Sequence, residues 1–181
     1  SIKEIKRMTT MLEQLLLLAR LDTNSIVQKD ILVSLPALID ESITHFKKNI
    51  TRKNIKVDLT INQAEQALVP HFYSNLIINN ILSNAIKYST NNSTIEISVD
   101  VNEAGIVCSI KDEGIGIKEA DLDHIYENFF RSDSMKYKHI PGHGMGLSIV
   151  KKCSEAIQAK VNISSTLNAG TTVTIVFLSK S

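Results

Sequence analysis

The chain has 181 residues, 43% hydrophobic and 22% charged, which suits one buried core in a folded globular protein and excludes disordered and collagen-like classes. Twenty Lys and Arg against nineteen Asp and Glu leave a net charge of +1, so there is neither a nucleic-acid footprint nor an acidic tail. Cys108 and Cys153 show no C-x-x-C spacing, which argues against a disulfide scaffold or zinc site and makes a reducing, cytoplasmic compartment the expectation.

No apolar run approaches the roughly 20 residues of a bilayer span, and no signal-peptide pattern opens the chain. Ser1 leads straight into helical sequence, so a fragment of a longer protein is expected. Over residues 2–21, Ile5, Met8, Leu12, Leu15 and Ala19 recur at steps of three and four, with Leu16 and Leu18 widening the stripe. That is the spacing of a helix packed on another helix or on its own domain. Residues 23–30 are polar and read as a linker. A short strand at 31–33 is followed by Ser34, an N-cap, and Pro36 in the first turn of a helix expected to run to about 51. Residues 56–61 alternate polar and apolar as a half-buried strand, 67–69 form another short one, and Pro70 opens a helix reaching about Ser89.

Residues 94–101 and 105–111 alternate around Asn102-Glu-Ala-Gly105, a hairpin signature. Residues 118–128 read as a short helix and 132–143, polar, basic and aperiodic, as a loop. A helix then begins at Gly144-Met-Gly and continues to about Ala159, and strands at 161–166 and 171–178 close on a turn at Asn168-Ala-Gly170. The expected fold is a two-layer α/β sandwich: a mixed sheet of about five strands with three helices on one face, preceded by one N-terminal helix.

Three stretches carry chemistry. On the helix after Pro70, Asn80, Asn84, Lys87 and Tyr88 fall within an arc of roughly 100°, with Ile78, Ile81, Leu82, Ala85 and Ile86 opposite. Amide oxygens suit Mg²⁺, an ammonium suits phosphate, and a phenol ring can cover a base. Asp112 ends a strand and is followed by Glu-Gly-Ile-Gly-Ile; a carboxylate there can accept a hydrogen bond from an exocyclic amine, and Gly114 and Gly116 admit close backbone approach. In Gly142-His-Gly-Met-Gly-Leu, alternate glycines ahead of a helix expose backbone N–H groups to phosphate oxygens. Each alone is ordinary: an amphipathic helix, an Asp-x-Gly turn, a G-x-G-x-G without the Lys-Ser/Thr of a Walker loop.

Together and in this order they resemble the nucleotide-binding boxes of sensor histidine kinases, within the wider Bergerat-fold (GHKL) family that includes gyrase, Hsp90 and MutL ATPases. The resemblance implies ATP and Mg²⁺ as cofactors, with Asn84 as metal ligand and Asn80, Lys87 and Arg131 stabilising the transferred phosphoryl group. Tyr88, Asp112, Gly114, Gly116, Ile117 and Thr171 would surround the nucleotide together with Gly142, Gly144, Met145, Gly146 and Leu147. Ile125-Tyr-Glu-Asn-Phe-Phe-Arg131 resembles the phenylalanine box, with Tyr126 in place of its first Phe. Leu15-Leu-Leu-Leu-Ala-Arg-Leu-Asp22 resembles the end of the dimerisation and phosphotransfer hairpin, which implies residues 1–22 as that hairpin's last helix, 23–30 as linker and 31–181 as the catalytic ATP-binding domain. His45, His71, His124, His139 and His143 lack the neighbours of a phospho-acceptor histidine, so the acceptor is expected on a helix before Ser1.

Gyrase-type ATPases carry a water-activating glutamate one turn before the metal-binding Asn, where this chain has Asn80, and no Asp or Glu occurs between His71 and Tyr88. An amide is no general base at neutral pH, whereas transfer to a neutral imidazole needs none. The implied partners are the phosphotransfer helix of a homodimeric parent and the receiver domain of a response regulator, with no nucleic acid and no membrane contact by these residues. Two other readings fit the same fold: an anti-sigma serine kinase, against which the Leu-rich leading helix argues, and a non-catalytic ATP-binding module.

Overall fold

The structure, a computed structural model, describes residues 1–23, 30–132, 140, 142 and 144–178; residues 24–29 of the linker expected at 23–30 and most of the loop expected at 132–143 lie outside them. Alternating sequences become strands because one face meets the core. Thus β2 (Lys56–Ile61), β4 (Thr94–Asn102), β5 (Gly105–Asp112), β6 (Lys160–Thr166) and β7 (Gly170–Phe177) form a five-stranded sheet of order β2-β4-β5-β7-β6. β2 runs parallel to β4 and the other pairs are antiparallel, so the sheet is mixed as expected. The register sets Leu59, Ile97, Ile110, Val173 and Ile163 in one row across the covered face. The adjacent row, Asp58, Glu96, Lys111, Thr172 and Ser164, faces the other way, and Lys111 pairs there with Glu96 at 3.2 Å. A separate two-stranded sheet joins β1 (Leu32–Ser34) to β3 (Leu68–Pro70).

The covering layer is α2 (Leu35–His45), α4 (His71–Tyr88) and α6 (Gly146–Ala156). Helix α4 lies at its centre: Ile77, Ile78, Ile81 and Leu82 are at most 1% exposed, each contributing about 1.5–3 kcal/mol of burial. Its polar face therefore points to the opposite side, toward α6. The C-terminal end of α4 is fixed by Lys53, whose Nζ donates to the carbonyls of Ile86, Lys87 and Ser89 at 2.8, 2.7 and 3.0 Å. An ammonium has three donors, and here all three meet helix-end carbonyls that lack intrahelical partners.

Two expectations are corrected. The helix after Pro36 divides at Phe46 (φ −92°, ψ 8°), and Lys47–Arg52 forms a separate α3. Residues 118–128 hold only the one-turn α5 (Glu119–Leu122). Beyond it, His124 donates to Asp121 and Glu127 to His124, the i to i−3 bonding of successive tight turns rather than an α-helix. Helix α1 (Ile2–Asp22) carries apolar residues on two adjoining arcs. Leu18 is buried, with Met11, Leu15 and Leu21 against the core, while Ile5, Met8, Leu12 and Leu16 of the expected stripe face outward, 59–65% exposed. An ion pair between Asp22 and Lys152 of α6 holds the lower end of α1.

Candidate functional site

A cleft of about 340 Å³ opens between α4, α6 and the ends of β5 and β7, lined among others by Asn80, Asn84, Lys87, Tyr88, Asp112 and Thr171. Gly116, Ile117, Gly142, Gly144, Met145, Gly146, Leu147 and Arg131 line it too. Gly114 is the one sequence-predicted site residue outside the lining; it acts from behind, donating its N–H to Asp112 Oδ1 at 2.8 Å.

At one end of the cleft Asp112 is 7% exposed, and Oδ1 also accepts the Thr171 N–H at 3.3 Å. Burial pushes its pKa up to about 6, against the two N–H groups, which favour the ionised form. With Oδ1 engaged by backbone, Oδ2 is the oxygen available to a donor from the cleft. The loop that follows is bound on both sides. Ile115 donates to Tyr88 O at 3.1 Å, and Asn168 donates to Ile115 O at 2.7 Å. Ser165 Oγ accepts the Ile117 N–H at 2.8 Å and lies 2.7 Å from the Thr171 hydroxyl. Gly116 has φ +67°, and a Cβ there would stand 2.0 Å from Thr166 O, so no other residue fits.

At the other end, Asn80 Nδ2 donates to Leu76 O at 2.8 Å, which turns Oδ1 outward. A Cβ on Gly146 would lie 3.2 Å from Asn80 Oδ1 and 3.7 Å from Asn84 Oδ1: two neutral oxygens converge on the first residue of α6, where glycine leaves room. Burial lowers the pKa of Lys87, and the nearby Arg131 guanidinium lowers it further. Two cations held together in this way favour an anion between them. Arg131 also donates to the carbonyls of Ile140 and Gly142, and a Cβ on Gly142 would lie 3.9 Å from Lys87 Nζ. Tyr88, largely buried, has its hydroxyl pKa raised by burial, partly opposed by Arg131.

Phe129, at φ +66°, donates its N–H to Gly144 O at 2.9 Å, and a Cβ on Gly144 would stand 2.6 Å from Phe129 C and Phe130 O. The phenylalanine segment and the glycine segment are thereby joined at the main chain. Among the described residues no cluster of three or more His, Cys, Asp or Glu could hold a metal, and no helix is long and apolar enough to cross a membrane. The oxygens suited to a hard cation are the amides of Asn80 and Asn84, whose convergence beside Gly146 fits Mg²⁺. Sequence reasoning missed Thr10 and Gln14 of α1, which also line the cleft; their signal was a polar pair one turn apart within a Leu-rich helix.

A sheet covered by three helices, with a buried carboxylate at one end of the cleft and amide oxygens, cations and a glycine-led helix at the other, defines a nucleotide-binding α/β domain. Residues 75–181 match the model of the histidine kinase-, DNA gyrase B- and HSP90-like ATPase family, and the chain belongs to that family. Among proteins it is similar to is the signal transduction histidine-protein kinase ArlS of Staphylococcus aureus, 32% identical over 177 residues, which are 98% of this chain and 39% of that protein. The chain thus spans about two-fifths of the length of the curated relatives it matches. Its fold is also that of the Acinetobacter baumannii histidine kinase AdeS (TM-score 0.79, 17% identity, 99% of this chain and 82% of that one). Full-length ShkA, solved in complex with AMPPNP, aligns with TM-score 0.81 at 20% identity over 95% of this chain and 36% of that one.

Proposed function

We propose that this chain is the catalytic domain of a two-component sensor histidine kinase, which binds Mg·ATP and passes the γ-phosphoryl group to a histidine on a dimerisation helix outside this sequence. In this reading Asp112 accepts from the adenine amine, Tyr88 and Ile117 flank the base, and Thr171 supports Asp112 through its N–H. Asn84 and Asn80 hold Mg²⁺, which when bound neutralises phosphate charge. Lys87 and Arg131 add positive charge, and the N–H groups around Gly142, Gly144 and Gly146 meet phosphate oxygens. The observation that carries the reading is the convergence of the two amide oxygens on Gly146 with no carboxylate on that face of α4. Charge and position are supplied for phosphoryl transfer, and α4 carries no carboxylate to activate water. The parent would be a homodimer with this domain in the cytoplasm, its phosphoryl group going on to a response-regulator receiver domain. A serine kinase on the same fold is disfavoured by the Leu-rich α1 and by relatives named histidine kinases.

The test follows the γ-phosphoryl of labelled ATP with Mg²⁺, this chain, and a separate polypeptide carrying the preceding helix. Acid-labile, base-stable label on that polypeptide is the expected result. Label released as free phosphate, with none on protein, would refute the proposal in favour of an ATPase.

A further inference from the structure

Helix α1 supplies two side chains to the cleft, Thr10 and Gln14. Its direction is fixed by the Asp22–Lys152 ion pair and by sharing the cleft with Gly144 and Gly146, so α1 and α6 run parallel. At 1.5 Å per residue, Gln14 lies roughly 12 Å above Asp22 and Gly146 roughly 9 Å above Lys152. Gln14 is therefore beside the start of α6, at the end where Asn80 and Asn84 converge. Its Oε1 is shielded from solvent and has no hydrogen-bond partner among the described residues. The Thr10 hydroxyl cannot serve it, since it donates to Lys6 O at 3.0 Å.

A buried acceptor without a donor destabilises the fold that holds it, so a ligand that brings a donor is favoured there. At this end of the cleft the Asn80 and Asn84 oxygens are acceptors, and so are phosphate oxygens; the Asn84 Nδ2, also beside Gly146, is a donor but makes no hydrogen bond to Gln14 Oε1. Water bound to a divalent cation is a strong donor, and Mg²⁺ keeps several such waters when protein supplies only one or two ligands. We propose that Gln14 is a nucleotide-site residue, its Oε1 accepting a hydrogen bond from a water in the Mg²⁺ shell, so that α1 completes the metal end of the pocket. This rests on the Mg·ATP reading above.

The test uses the whole 181-residue chain and a non-hydrolysable ATP analogue, titrated by calorimetry in excess Mg²⁺ and again in EDTA. Gln14→Leu and Gln14→Met, which keep a helix-favouring side chain of similar size, should weaken binding of the Mg²⁺ complex about five- to tenfold. Binding in EDTA should stay within about twofold of wild type, and the thermal midpoint without ligand should hold or rise as the unpaired acceptor is removed. Equal losses with and without Mg²⁺, or wild-type affinity for the Mg²⁺ complex in either variant, would overturn the inference. A wild-type chain that shows no Mg²⁺-dependent nucleotide binding would instead refute the functional reading before Gln14 enters.

Discussion

Replacing Asp112 by Asn should separate stability from binding. In the folded protein the carboxyl is displaced from 3.8 to about 6. A carboxyl whose folded pKa is raised is penalised when ionised. Below about pH 4 both folded and unfolded chains hold the proton and there is no cost. As pH rises to about 6 the unfolded chain loses its proton first, and above 6 the folded state carries the full cost, on the order of 3 kcal/mol. Asn is isosteric, and its Oδ1 can still accept the Gly114 and Thr171 N–H groups at 2.8 and 3.3 Å. D112N should therefore stabilise the ligand-free protein by about 1–3 kcal/mol at pH 7.5, roughly 3–10 °C in Tm, with the gain vanishing toward pH 4. Its Nδ2, however, would face the adenine amine donor to donor, and affinity for the ATP analogue should drop about a hundredfold or more. Urea melts across pH 4–8 and calorimetric titration at pH 7.5 measure the two effects. A pH-independent stability difference, or wild-type affinity in D112N, would refute this account of the carboxylate.

Asn84→Ala removes one of the oxygens beside Gly146 without touching the sheet face; Mg²⁺-dependent binding of the analogue should be lost while the ligand-free Tm shifts by less than about 2 °C. Gly116→Ala combines φ +67° with a Cβ 2.0 Å from Thr166 O, so chemical denaturation should show a loss of about 1–3 kcal/mol, with weakened nucleotide binding as the loop moves. Lys53→Met strips three carbonyls at the end of α4 of their donor. We expect a loss of about 1–3 kcal/mol and faster amide exchange in the last turn of α4; an unchanged exchange pattern would contradict the capping role.

The helix carrying Asn80 to Tyr88 was legible because 3.6-residue periodicity sorts polar from apolar side chains without help from the rest of the chain. Asp112 was legible because an alternating strand has a visible end, and Lys56–Ile61 matches its expected span. The divided helix at Phe46 and the turns after Leu122 were not, since the change at each is a shift in local backbone bonding, Asn49 to Phe46 and His124 to Asp121, which apolar spacing does not report. Nor could sequence reveal Lys53 at the end of α4 or Ser165 behind Ile117, because both contacts join segments far apart in the chain. The two-faced α1 was half legible: its apolar period showed, but not which leucines meet the domain, nor that Thr10 and Gln14 face the cleft.

The Phe129–Gly144 clasp has a consequence for how such a domain can vary. Because the main-chain bond at 2.9 Å brings Phe129 and Gly144 together, the cost of closing the chain between them is met at that bond, and chain-closure cost in general grows only by about 0.6 kcal/mol per doubling of length. Arg131 and Gly142 lie inside the clasp and line the cleft, and Arg131 donates to the carbonyls of Ile140 and Gly142, so the stretches next to the clasped points are tied to the site. Descendants of one ancestral chain are therefore expected to differ in length between those stretches rather than in them, and a graft would have to keep both.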